Sequence, residues 1–252
     1  MTAPLSDVME DYLKTIYHLE RDGGADTETG DGDDSGRRVA TSAIADRLGV
    51  EPSTVTSALD TLADRGFVDR EKYEGVRLTE EGRTVALEVL RHHRLLETFL
   101  LEHLDYDWSE VHDEADRLEH HISEEFERRV AETLDDPRVD PHGDPIPGAD
   151  LAEPDDDTVP LGAFEAGDAV VVERVSDRSD EELDYLADAG VVPGTTLEIV
   201  DVAPFGMLTV RVARDDGDGS DGEAEQSLPE EVAAAIRVRG LDETVEAGID
   251  EG

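Results

Sequence analysis

Apolar residues recur at helical spacing through the first half of the chain and at alternating spacing through its last third. Residues 6–20 predict a helix whose apolar face is Val8, Tyr12, Leu13, Ile16, Tyr17 and Leu19. Ser6 stands at the N-cap, and Asp7 and Glu10 suit the positive end of the helix dipole. Residues 21–36 carry glycine and acids without a period and predict an exposed flexible loop. Residues 41–50 form a short amphipathic helix that runs into Gly49. Pro52 then opens a second helix with Val55, Leu59 and Leu62 on its inner face and Thr54, Thr56, Ser57 and Thr61 pointing away. Two short helices joined by a tight turn predict a helix-turn-helix, and residues 67–79 predict a two-stranded wing behind it.

A long helix follows from Thr79 through Leu100, broken at Asp107-Trp108-Ser109, and a further helix is expected to run to about residue 134. Leu95, Leu96, Phe99, Leu100 and Leu104 are more apolar surface than a helical hairpin covers, which predicts a symmetric dimer. Proline and acid make residues 135–160 an irregular linker. Beyond it, residues 169–175, 195–202 and 207–213 alternate as strands, residues 215–225 read as an acidic glycine-rich loop, and residues 234–239 close a small barrel. The last ten or so residues are expected to fray. The expected class is α+β, with a winged helix-turn-helix at 1–79, a helical domain at 80–140, a linker at 141–160 and the barrel at 161–240.

Charge alters this picture in one place. The 252 residues hold 66 acids against 22 lysines and arginines, a net charge of −44, and Lys14 and Lys72 are the two lysines. An acidic, lysine-poor surface over well-patterned apolar segments predicts a halophilic protein kept soluble by hydrated carboxylates. Residues 37–77 depart from that background. Arg37, Arg38, Arg47, Arg65, Arg70, Lys72 and Arg77 are balanced there by seven acids, so the helix-turn-helix is locally neutral. Such relief is what a phosphate-facing surface needs. With no cysteine, disulfides and thiolate metal sites are excluded. No long apolar run and no basic start before an apolar core are present, so a cytoplasmic protein without a membrane partner is expected.

The candidate chemistry lies in the stretch VHDEADRLEHH. On a helix of ~3.6 residues per turn, His112, Asp116, Glu119 and His120 fall on one side at i, i+4, i+7 and i+8. His93 and Glu97 form a second pair, four residues apart on the preceding helix. Imidazole and carboxylate at these spacings suit a divalent metal with nitrogen and oxygen ligands. A solvated charged face is the competing reading.

Several runs together resemble one family. These are the helix-turn-helix and wing, RHHRLLETFL, VHDEADRLEHHISEEFERR, DPHGDPIPG, and LADAGVVPGTTLEIVDVAPFG. The chain is similar to the DtxR/MntR family of metal-dependent transcriptional repressors over nearly its whole length, residues 22–36 excepted. The resemblance implies a helical domain that dimerises and binds metal, and an SH3-like, FeoA-like barrel at the C-terminus. It implies a primary site of Asp11, Asp116, Glu119 and His120, an ancillary site of His93, Glu97 and His112, and an oxygen ligand from the barrel near Glu182. His92, His121 and His142 are left as solvated or linker residues.

Iron-type members place methionine and cysteine where this chain has Asp11 and Asp116, and these harder donors favour Mn²⁺, with Fe²⁺ the alternative. Lys14 stands where manganese-type members place a glutamate. The expected function is a repressor of metal-uptake genes, with the divalent metal as co-repressor and a homodimer on double-stranded operator DNA. Ser53, Thr54, Thr56 and Ser57 would touch DNA, and Arg37, Arg38, Arg70, Lys72 and Arg77 would approach phosphates. The alternatives are a metal-independent winged-helix regulator sensing a small molecule and a metallohydrolase. The latter lacks a general base separate from the ligands, so no enzyme is expected.

Overall fold

The computed structural model describes residues 5–22, 38–71, 74–152, 158–176, 179–204, 206–216 and 220–241. The chain divides into two compact units: Met1–Leu95 with Asp116–Glu132 and Ile146–Glu153, and Leu96–Ala115 with Thr133–Pro145 and Pro154–Gly252. The expected loop at 21–36 falls almost entirely, and the C-terminal ten residues wholly, outside the described residues.

The first unit opens with α1 (Asp7–Asp22), α2 (Thr41–Leu48) and α3 (Pro52–Asp64), followed by β1 (Val68–Glu71) and β2 (Gly75–Leu78). Gly49 ends α2 in the left-handed region at φ 63°, its N–H returned to the Ala45 carbonyl, and Pro52 starts α3 where no helical N–H is needed. Antiparallel pairing from Val68↔Leu78 to Glu71↔Gly75 makes the wing, and Val39 bridges to Val76 beside it. Tyr12, Leu13, Ile16, Tyr17, Ile44, Val55, Leu59, Leu62 and Val76 form one core. The helix-turn-helix and wing stand as the pattern predicts. Val8 does not join the core: it is exposed, and Leu5 and Met9 pack at that end instead.

α4 (Glu80–Leu104) starts where Thr79 Oγ1 accepts the Gly82 N–H at 3.1 Å. A Cβ on Gly82 would stand 1.9 Å from the Phe67 carbonyl oxygen, so the close approach of wing and helix demands glycine. Leu95, Leu96 and Leu100 are buried within the single chain, contrary to the expectation that they await a partner. Phe99 is half-buried and Leu104 exposed.

The expected continuous helix from 111 to 134 is two. α5 (Val111–Leu118) ends in a turn through Glu119, His120 and His121, and α6 (Glu124–Thr133) restarts. Ser123 is the cause: its hydroxyl accepts from the Phe126 N–H, and three of the next four residues are acids suited to a helix start.

In the second unit, β3 (Val159–Pro160), β4 (Ala169–Val175), β5 (Thr196–Val202), β6 (Leu208–Asp216), β7 (Ser220–Leu228) and β8 (Ile236–Gly240) make one antiparallel sheet in the order β3-β8-β4-β5-β6-β7. The sheet is open between β3 and β7 where a closed barrel was expected. β7 also replaces most of the expected loop at 215–225, pairing with β6 from Leu208↔Leu228 to Asp216↔Ser220. Its sequence lacks apolar alternation, which an edge strand can dispense with because backbone pairing on one side holds it. α7 (Asp180–Ala189), capped by Ser179, and α8 (Glu230–Ala234) complete the unit. Val170, Val172, Leu183, Leu186, Leu197, Ile199, Val210 and Val238 fill its core. Residues 135–145 are irregular, as expected, yet not a loose linker: Asp140 and His142 are buried.

Candidate metal centre

Within the first unit, α1, α4 and the turn after α5 bring a set of nitrogen and oxygen donors together. Glu119 is the hub. Its side chain is fully buried, with Lys14 Nζ at 2.7 Å from one oxygen and His93 Nδ1 at 2.6 Å from the other. Asp116, at the end of α5, lies 2.9 Å from Lys14 Nζ and 3.3 Å from His93 Nδ1. His120 turns the other way: Nδ1 is 2.7 Å from Glu10 and Nε2 is 3.0 Å from Asp11, with Glu119 at 3.3 Å. One ligand atom each from Asp11, Glu119 and His120 falls within 4.8 Å of the others, and so for His93, Asp116 and Glu119.

Electrostatics follow from this crowding of carboxylates. Burial works against the His120 imidazolium, but hydrogen bonds to Asp11 and Glu10 and the charge of Glu119 push its pKa up to about 9. Burial likewise opposes the Lys14 ammonium, and the Glu119 and Asp116 carboxylates outweigh it and raise the pKa. Burial would lift the Asp116 carboxyl; the His93 hydrogen bond and Lys14 hold it well below the usual range. Without metal the carboxylate charge of the centre is therefore partly offset by its own cations, Lys14 and protonated His120. The donors are hard carboxylates and imidazoles with no sulfur, which fits a Mn²⁺- or Fe²⁺-sized cation.

A second cluster lies in the second unit. Glu97 is fully buried, with His112 Nδ1 at 3.3 Å and His142 Nδ1 at 3.8 Å, and Glu97, Asp140 and His142 can each turn one ligand atom to a common point. His142 Nε2 donates to the Trp108 carbonyl at 3.0 Å. A carbonyl only accepts, so Nε2 carries a proton, and Nδ1 is the ring nitrogen that faces Glu97. Asp140 Oδ1 accepts the N–H groups of His142 and Asp144, both at 2.9 Å, which fixes the turn.

Three family descriptions match the chain in order: the N-terminal DNA-binding domain of iron-dependent repressors at residues 31–76, their metal-binding and dimerisation domain at 79–148, and the FeoA domain at 159–240. The iron-dependent repressor IdeR of Mycobacterium tuberculosis is 34% identical over 246 residues, covering 93% of this chain and 97% of that protein. The chain belongs to the iron-dependent repressor family. The diphtheria toxin repressor of Corynebacterium glutamicum is 35% identical over 206 residues, covering 78% of this chain and 85% of that one. Among solved structures, a manganese-dependent transcriptional repressor in complex with manganese is 38% identical. It covers 92% of this chain and all of its own, with a TM-score of 0.78. ScaR with bound Zn²⁺ is 29% identical over 92% of this chain and 99% of its own, TM-score 0.73.

The expected ligands are distributed over both units of the repressor fold. Asp11, Asp116, Glu119 and His120 gather in the first unit, with Glu119 and His120 on a turn rather than in the expected helical column, and His93 joins them through Glu119. Glu97 and His112 meet in the second. Glu182 sits half-buried in the first turn of α7, its N–H capped by Ser179, and among the described residues it enters neither cluster. Sequence reasoning missed Glu10, Lys14 as a contact of the centre, and Asp140. Two residues set aside as solvated or linker are corrected: His92 is buried with Nδ1 3.1 Å from the Glu119 carbonyl, and His142 is wholly buried. The DPHGDPIPG run was the available signal, since its Asp140 and His142 stand two apart around Pro141. His121 is exposed, as expected.

Of the residues expected to touch DNA, Ser53, Thr54 and Ser57 are exposed at the start of α3, and Thr56 is half-buried with its hydroxyl donated to the Pro52 carbonyl at 3.0 Å. Arg38 pairs with Asp69 at 2.9 Å and Glu71 at 2.5 Å, Arg77 with Asp69 at 3.0 Å, and Arg70 with Asp60. Arg37 and Lys72 lie outside the described residues.

Proposed function

We propose that this repressor is activated by Mn²⁺, with Fe²⁺ the alternative, held by Asp11, Asp116, Glu119 and His120. It would bind operator DNA as a homodimer through α3 and the wing. The observation that supports this is that α1 does two jobs in one compact unit. Its face with Leu13, Ile16 and Tyr17 is part of the winged-helix core, and its Asp11 and Glu10 reach His120. A divalent cation there would supply two positive charges shared among carboxylates that otherwise repel. Asp11 would tie α1, and with it the helix-turn-helix, to the Glu119–His120 turn. Ser53, Thr54, Thr56 and Ser57 would meet base edges and backbone, with Arg38, Arg70 and Arg77 at phosphates.

Glu97, His112, Asp140 and His142 would hold a second, more buried ion, and His93 stands four residues before Glu97 on α4. Glu182 as a barrel ligand belongs to the same proposal. The acidic, lysine-poor composition supports a halophilic cytoplasm as the working environment, where counterion release contributes little and close contacts carry binding. Among the described residues no helix is long and apolar enough to cross a membrane. The regulated genes in this reading are those of metal uptake.

A gel-shift series tests it: chelated protein and its own upstream DNA, with Mn²⁺, Fe²⁺ and Zn²⁺ added separately. Retardation that requires Mn²⁺ or Fe²⁺ supports the reading; binding indifferent to metal favours a small-molecule regulator and sinks it.

A further inference from the structure

We infer that Lys14 is a tethered cation competing with the divalent ion for Asp116 and Glu119, so that it sets how much metal the regulator needs. The inference rests on the metal-centre reading above and goes beyond it, since Lys14 is not a ligand while charged. The ammonium bridges two of the candidate ligands, 2.9 Å from Asp116 and 2.7 Å from Glu119, with its own side chain only 15% exposed. Glu119 is fully buried and already holds Lys14 on one oxygen and His93 on the other, so an incoming ion meets a carboxylate that is engaged at both oxygens. A cation arriving at Glu119 must displace Lys14 from it or share the same carboxylate at close range, and both reduce the affinity the donors would otherwise give.

The same contact has a benefit in the metal-free state. Asp11, Asp116 and Glu119 would repel one another if brought together without a counter-charge. Lys14 comes from α1, two residues from the buried Tyr12, so it keeps the centre assembled before any metal arrives. Lys14 thus trades affinity for preorganisation, and the balance is adjustable at one side chain.

Lys14→Met keeps the length of the stem and removes the charge. Mn²⁺ binding is followed at one fixed pH by titration calorimetry and by loss of the free-ion electron paramagnetic resonance signal. Thermal melts run alongside, with chelator and with Mn²⁺. The variant should bind Mn²⁺ about 10–100-fold more tightly, the range in which residues behind metal ligands act. It should melt lower than wild type with chelator and gain more from Mn²⁺ than wild type does. Unchanged or weaker Mn²⁺ affinity overturns the inference. A variant that folds only when Mn²⁺ is present supports it in extreme form. If methionine is not tolerated at all, Lys14→Gln, which keeps a donor without the charge, answers the same question by the same criterion. Wild type and variant both failing to take up any divalent ion would instead refute the metal centre itself; equal binding by both leaves the centre intact and removes Lys14 from its control.

Discussion

Replacing Glu119 by glutamine preserves shape and removes one charge at the point where α1, α4 and the turn after α5 converge. Glu119 is fully buried and holds Lys14 at 2.7 Å and His93 at 2.6 Å. Removing one partner from a buried ion pair costs about 3–5 kcal/mol, because the remaining charge keeps its burial without its compensation. Two features place Glu119→Gln at the lower end. Glutamine still offers a carbonyl to one neighbour, and Asp116 still pairs with Lys14 at 2.9 Å. We therefore expect ~3 kcal/mol of lost stability in the first unit without metal, roughly a 10 °C fall in its melting temperature.

The second half of the experiment concerns Mn²⁺. At about 100 times its Kd, a ligand specific to the native state stabilises by ~2.7 kcal/mol, and that increment should vanish in the variant. Circular dichroism melts of both proteins, each with chelator and with Mn²⁺, give all four values. A variant that melts close to wild type and keeps the full Mn²⁺ increment would refute both the energetics and the place of Glu119 in the centre.

Three further outcomes follow from the same geometry. His120 must lose its proton to ligate, and its pKa of about 9 without metal means that Mn²⁺ uptake below that pH should release close to one proton per ion, with apparent affinity rising about tenfold per pH unit and levelling above 9. Calorimetry in buffers of different ionisation enthalpy counts that proton. The sign for metal-free stability is opposite: the contribution of His120 is complete below its ordinary 6.5 and disappears as pH rises through 9. Asp140→Ala leaves the His142 and Asp144 N–H groups without their acceptor and should cost about 1–3 kcal/mol in urea unfolding of the second unit. Gly82→Ala would stabilise an ordinary helix by ~1 kcal/mol. Here its Cβ meets the Phe67 carbonyl at 1.9 Å, so we expect a net loss of about 1–3 kcal/mol, read from the denaturation midpoint.

Apolar periodicity was enough to place α1, the helix-turn-helix, the wing, α4 and the strands β4, β5 and β6, because each buries a face whose spacing is written in the sequence. Where burial does not dictate pattern, legibility fails. β7 is held by backbone pairing at a sheet edge and has only Ala224 and Leu228 as apolar residues, so it reads as a loop. The turn after α5 depends on one hydroxyl, Ser123, inside a run that otherwise looks helical. That same turn hid the arrangement of the candidate ligands, since Glu119 and His120 leave the helical column. Asp140 and His142 were obscured because a proline-rich segment looks solvated until the fold shows what covers it. The partnership of Lys14 with Asp116 and Glu119 spans more than a hundred residues and has no local signature at all.

The arginines on and beside the wing carry one last implication. Arg38, Arg70 and Arg77 already sit against Asp69, Glu71 and Asp60, so in the proposed DNA-binding role an arriving phosphate would enter an exchange rather than meet unclaimed charge. An exchange of near-equal partners rewards only a duplex whose contour fits well enough to outbid the resident carboxylates. Random sequence would gain little from it, and such a surface would sacrifice strength of grip for discrimination.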